Sequence, residues 1–256
     1  TWLGSQPQST TVTLIGEAAQ TATPEKSLDD FNEAMTPILS ASDRLMAVLL
    51  FSLAALLVVR LGLPPLVALL VGQSSIGKTI IQRAVAWWVN SDGHVRMFNG
   101  TPKGLQKYLH TLPAKAVFFE DSHGEDNAKA VASLIMAVAN AAEQRLTAIP
   151  GDLQSAAQIQ ASLVLSAEEG LSTSMRRAGV AMHSGINARV FEIHARRFGM
   201  LDDLCGHPSS ASLAEFINSA GPPHAGVVGA AFVAAMASDW DKLPKLWLKY
   251  QDKYRR

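Results

Sequence analysis

The chain has one cysteine, Cys205, and cannot close a disulfide within itself. That scarcity predicts a reducing, cytoplasmic setting. Net charge is missing too, because 22 Lys and Arg balance 22 Asp and Glu. A neutral chain has no global basic field to attract nucleic acid, although a local patch stays open. The one stretch that imitates a membrane span is "LMAVLLFSLAALLVV", Leu45 to Val59, between Arg44 and Arg60. It falls short of the ~20 residues a span needs. A buried core helix is expected instead, stopped by Pro64 and Pro65, and no membrane partner. No basic segment precedes a short apolar core, so no signal peptide is read. The first residue is Thr1, which reads as a piece of a longer protein. Repeats and low-complexity tracts are absent. The seven histidines and Cys205 show no metal-ligand spacing. The serine-rich "GHPSSAS" reads as a loop without a catalytic partner.

What is present is an alternation of short apolar runs and helical patterns over 256 residues, enough for one large domain or two small ones. Residues 1–26 read as a polar extension with one strand-like run, "TVTLI". Ser27 opens a first helix, and "SASD" (Ser40 to Asp43) caps the apolar one. Strands are expected at 66–71, 95–98, 116–119, 161–166 and 188–193. Helices are expected at 79–90, 101–112, 127–144 and 171–183. Strands alternating with helices predict an α/β fold, a parallel sheet covered on both faces. The main domain is read as 27–236, followed by a basic C-terminal helix or linker at 237–256.

Gly72, Gln73, Ser74, Ser75, Ile76, Gly77, Lys78 and Thr79 spell G-x-x-x-x-G-K-[ST]. The glycines let the backbone curl with its N–H groups pointing inward at phosphate oxygens. Lys78 brings positive charge to the β and γ phosphates, and Thr79 offers a hydroxyl to Mg²⁺. The helix that follows presents its positive end to the anion. ATP and Mg²⁺ are the expected ligands. The metal also needs a carboxylate at a neighbouring strand end, and the attacking water needs a base. "AVFFED" supplies both: Glu120 for the Mg²⁺ shell and Asp121 for the water. Ser166 ends the strand "SLVLS" and is read either as a polar group that senses the γ-phosphate or as an ordinary strand-end serine. Arg189 opens the last strand and is read either as a finger that reaches a neighbouring subunit's nucleotide or as a member of a surface salt bridge.

Taken in order, "SLDDFNEAM", "GQSSIGKT", "NGTPKGLQKYL", "AVFFEDSHG", "ANAAEQRLTAIPG", "LVLSAEEG" and "SGINARVFEI" resemble the domain-of-unknown-function family 927. These are P-loop ATPases of phages, plasmids and integrative elements, and the resemblance runs from about Gly16 to Met236. The family often has Asp-Glu where this chain has Glu120-Asp121, and Ser-Ser-Gly-Glu where it has Ser166-Ala167-Glu168-Glu169. The resemblance implies an AAA+-like P-loop fold with a helical N-terminal segment. It also implies a homo-oligomeric, hexameric ring that hydrolyses ATP and moves along single-stranded DNA as a helicase for mobile-element replication. "NARVFE" is similar to the finger-bearing segment of related helicases.

Two segments are candidates for touching DNA. One is "RLTAIPGDLQSAAQIQ" (Arg145 to Gln160), where similar helicases project a hairpin. The other is the C-terminal run with Lys242, Lys245, Lys249, Lys253, Arg255 and Arg256 among aromatic residues. The plainer reading of that run is a terminal helix whose Trp247 and Tyr250 pack on the domain. Two other functions compete with the motor. One is an ATP-dependent switch or assembly module with slow hydrolysis, which the reversed acids favour. The other is a small-molecule kinase, for which no acceptor pocket or Arg-rich lid is evident.

Overall fold

A computed structural model describes residues 23–120, 122, 125–140, 143–144, 157–179, 186 and 189–254. The strand-like "TVTLI", Asp121 and most of the Arg145–Gln160 segment lie outside the described residues. Five strands form one parallel sheet: Val67–Val71 (β1), Val95–Met97 (β2), Ala116–Glu120 (β3), Ser162–Ala167 and Val190–His194. The last two are β6 and β7, because Glu143–Gln144 (β4) and Ala157–Gln158 (β5) form a separate antiparallel pair. The sheet order is β2-β3-β6-β1-β7. Helices are Leu28–Ala41 (α1), Asp43–Ala55 (α2), Lys78–Asn90 (α3), Pro102–His110 (α4), Glu125–Ala139 (α5) and Leu171–Arg177 (α6). After the sheet come Ser210–Ser219 (α7), Val227–Ala237 (α8) and Leu243–Tyr254 (α9).

The strand period of two sorts the apolar side chains into two cores. Leu70, Phe118, Val164 and Ile193 point to one face, against α1, α2, α3 and α7. Val67, Leu69, Val117, Phe119, Leu163 and Leu165 point to the other, against α4, α5 and α6. A strand covered on both faces must be apolar throughout, which is why β1 reads V-A-L-L-V and every residue of it is buried. Each fully buried Leu, Val or Phe contributes roughly 1.5–3 kcal/mol relative to exposure.

Ser27 caps α1 as expected: its hydroxyl accepts from Asp30 N at 3.1 Å, and the Asp30 carboxylate accepts from Ser27 N at 2.8 Å. This capping box satisfies two helix-end donors reciprocally. Phe31 then meets the fully buried Trp88 of α3 edge to face, 5.1 Å between ring centres. Two amides tie α3 to the sheet. Gln82 Nε2 donates to Phe119 O and Val164 O at 3.1 and 3.0 Å, and Asn90 Nδ2 donates to Ala116 O at 2.8 Å.

Four expectations need correction. The apolar run is a helix only to Ala55 and continues as turns. Its inner face is buried, but Leu50 and Val59 are exposed, because a surface helix buries one stripe. Ser42 is the residue before α2, yet its side chain makes no cap hydrogen bond. The helix expected to reach Gln144 stops at Ala139, and Glu143–Gln144 pairs as a strand, since tertiary pairing outcompetes a weak helical preference. Tyr250 is exposed, and the buried anchor of α9 is Leu243. Among the described residues, no single helix is long and apolar enough to cross a membrane.

Candidate functional site

The segment from Gly72 to Gly77 leaves the C-terminal end of β1 and feeds into α3, a strand–loop–helix arrangement with the loop at the carboxyl ends of the parallel strands. Ser75 and Gly77 both adopt left-handed backbone, with φ of 62° and 89°. Gly77 takes that conformation without penalty; Ser75 is a non-glycine outlier of the kind that functional loops retain. Such turns make concave nests of N–H groups suited to an anion. Residues Ser74–Ile80 with Ser166, Ala167 and Glu168 line a cavity of about 340 Å³.

The expected metal pair meets here. Thr79 Oγ1 donates to Glu120 Oε2 at 2.7 Å, across 41 residues of sequence. The contact exists because α3 starts beside the end of β3, and Gln82 locks that register one turn later. Lys78 Nζ donates to Gly72 O and Gln73 O, each at 2.6 Å, so its ammonium lies over the loop. Ser166 is buried at the end of β6 and lines the cavity. Its carbonyl accepts from Ser122 N at 3.0 Å and from Ser122 Oγ at 2.7 Å. The ends of β3 and β6 are thereby tied together. These groups fit a Mg²⁺-bound nucleotide: hydroxyl and carboxylate donors side by side, a cation, and a curled backbone.

Arg189 does not join this cluster. It is exposed and precedes β7, whose first residue Val190 pairs with Val67 at the start of β1. The cradle leaves the far end of β1, roughly 15 Å of strand away. Arg189 thus stands at the end of the strand pair opposite the loop of its own chain. Asp121 lies outside the described residues.

Several supporting residues were not legible in the sequence. A strap from Ala195 to Asp202 runs along the outside of the loop. Ala195 N donates to Val71 O at 2.8 Å, and Met200 N donates to Ile76 O at 3.0 Å. Gly199 sits in left-handed backbone, and an added Cβ would lie 2.4 Å from Ile76 O. Asp202 then forms an ion pair with Arg44 at the start of α2, and Arg44 Nε donates to His194 O at 2.5 Å. Burial, reinforced by the nearby Arg196 charge, pulls the Arg44 guanidinium below its ordinary pKa. On the other side Glu192 Oε1 accepts from Leu171 N at 2.7 Å and Glu192 Oε2 lies 2.9 Å from His194 Nε2. That contact joins β7 to the start of α6, just after the Ser166 loop. A single acid inside an apolar strand, Glu192 in "VFEI", is the sequence signal that could have found that residue.

No curated protein sequence matches the chain. A solved structure described as "SCCmec type IV Cch - active helicase" superposes with a TM-score of 0.66 at 19% identity, over 91% of this chain. The chain spans 42% of that protein's length, and at this identity the likeness establishes the fold. The family model described as "Domain of unknown function (DUF927)" matches residues 4–158. The match takes in the loop, β3 and Glu120, and stops short of β6 and β7, which the resemblance from about Gly16 to Met236 includes. With well over half its length matched, the chain belongs to the domain-of-unknown-function family 927.

Proposed function

We propose that this chain binds and hydrolyses ATP at the Gly72–Thr79 loop and uses turnover to move along single-stranded DNA, as a helicase-like subunit of a homo-oligomeric ring. The observation that carries the nucleotide reading is the Thr79–Glu120 hydrogen bond beside the curled loop and Lys78. Support for the motor comes from the fold shared with a protein described as an active helicase.

The roles follow from charge and position. The loop N–H groups and Lys78 hold the phosphates. Thr79 and Glu120 hold Mg²⁺, whose charge offsets the negative charge that develops on phosphate oxygens. Asp121 follows Glu120 in sequence and orients the attacking water. Ser166 contacts the γ-phosphate from the end of β6. Arg189 of one subunit completes the site of the next.

A second reading, a slow ATP-dependent switch without unwinding, is favoured by one observation. The acids run Glu120-Asp121, which leaves the water-orienting carboxylate one methylene short. A misplacement of ~1 Å can cost on the order of 100-fold in rate. ATP turnover measured with and without single-stranded DNA, alongside the particle mass with ATP present, separates the readings. Turnover that rises with DNA, in a ring-sized particle, supports the motor. Slow turnover indifferent to DNA supports the switch, and no hydrolysis under either condition overturns both.

A further inference from the structure

Within a chain of zero net charge, residues 93–119 contain no Asp or Glu. The same stretch holds Arg96, Lys103, Lys107 and Lys115. The acids that bracket it are engaged: Asp92 accepts from Lys115 at 3.3 Å, and Glu120 accepts from Thr79. The fold displays the other three cations on one region. β2 is an edge strand of the sheet, and Arg96 and Met97 on it are exposed. Lys103 and Lys107, one turn apart on α4, are exposed as well. Among the described residues none of the three forms an ion pair. Arg96 stacks over the ring of Tyr108, 4.7 Å from its centre. The loop between the two elements, Asn99 to Thr101, is exposed.

We propose that this β2–α4 face is a binding surface for single-stranded nucleic acid. Exposed cations without acidic partners match a phosphate backbone in charge, and the exposed Arg96, its guanidinium plane held over the Tyr108 ring, offers a flat surface for an unstacked base. Neither of the segments that composition points to, the 145–160 stretch or the C-terminal helix, is needed. The C-terminal run is the weaker surface, because Asp239 takes up Lys242 at 2.7 Å and Asp252 lies among its remaining lysines. The inference deepens the DNA half of the function proposed above and is tested without ATP.

The probe is a fluorescent oligothymidine, titrated with the whole chain at several salt concentrations. Two variants are compared with the parent: Arg96→Gln/Lys103→Gln/Lys107→Gln, and the control Lys245→Gln/Lys249→Gln/Lys253→Gln. Each phosphate contact on a single strand contributes about 0.7 to the slope of log affinity against log salt. The first variant is expected to lose about tenfold in affinity and to flatten the slope by about 2; the control is expected to keep both. Single changes Lys103→Gln and Lys107→Gln, at exposed positions, each flatten the slope by about 0.7, and thermal melts confirm the fold. Tyr108→Leu keeps an apolar side chain against the core but removes the ring that holds the Arg96 plane, and so weakens binding. Parent-like affinity in the triple variant overturns the proposal, as does an equal loss in the control. Competition by poly-glutamate as strong as by oligothymidine also overturns it, pointing to an acidic protein partner. A chain that hydrolyses ATP yet fails this titration loses only this surface. One that passes but does not hydrolyse ATP loses only the nucleotide reading.

Discussion

Lys78 lies over the loop at 2.6 Å from two of its carbonyls, and it is the one side-chain cation in the cradle. Lys78→Ala removes the charge that faces the β and γ phosphates, so ATP turnover is expected to vanish. Near-normal hydrolysis by that variant would place the phosphate site elsewhere. The two acids are expected to divide their work by position. Glu120 bonds Thr79, so Glu120→Gln weakens the Mg²⁺ dependence of nucleotide binding, read by titrating ATP with and without the metal. Asp121→Asn keeps that binding and loses turnover. A normal rate in Asp121→Asn assigns the base to another group.

At the scale of elements, the strap holds the loop from outside. Gly199→Ala puts a methyl against the Ile76 carbonyl and forces an alanine into left-handed backbone. The clash falls on Ile76 of the loop, so the variant is expected to lose nucleotide affinity as well as Tm, whereas a purely structural glycine would cost Tm alone. The capping box makes a pH prediction. Hydrogen bonds from Ser27 hold the Asp30 carboxyl below its ordinary value of 3.8. A group whose folded pKa is lowered adds stability above the unfolded value and loses it as pH falls through the folded one. Ser27→Ala is expected to lower Tm by a few degrees at pH 7, consistent with typical cap losses in a domain of this size. The gap between variant and parent should narrow as pH falls past 3.8 and the Asp30 carboxyl takes up a proton, leaving the part of the cap that Ser27 Oγ makes with Asp30 N. A deficit that persists unchanged in acid would show that Asp30 is not the partner that matters.

For the whole molecule, the position of Arg189 sets the test. It stands at the end of the sheet opposite its own cradle, so a role in hydrolysis requires a neighbour. Such fingers are worth roughly 10³ to 10⁵ in rate. Arg189→Ala and Lys78→Ala are each expected to be inactive. Mixing them should restore partial turnover, since some interfaces then pair an intact cradle with an intact finger. Labelled subunits confirm exchange; with exchange confirmed, absent recovery counts against a finger in trans. Full activity of Arg189→Ala alone removes the residue from the mechanism.

Much of this was legible in residue order. The cradle is contiguous, so its eight residues and the strand and helix around it could be read directly. The alternation of β1, β3 and β6 with helices determined a parallel sheet, because a strand covered on both faces has to be apolar along its whole length. The Ser27 box was legible because its partners are three residues apart. Other features depend on contacts between distant residues. Thr79 meets Glu120 across 41 positions, Gln82 meets Val164 across 82, and Arg44 meets Asp202 across 158. Sequence spacing carries no distance at that range, so only the packing of α2 and α3 on the sheet decided which polar groups would be paired. The same packing buried the apolar part of an acid-free stretch and brought its Arg96, Lys103 and Lys107 to the surface, and it set Arg189 and the cradle at opposite ends of the sheet. Local chemistry is determined by neighbours in the chain; which charges face one another is determined by burial, which rewards the whole fold at once.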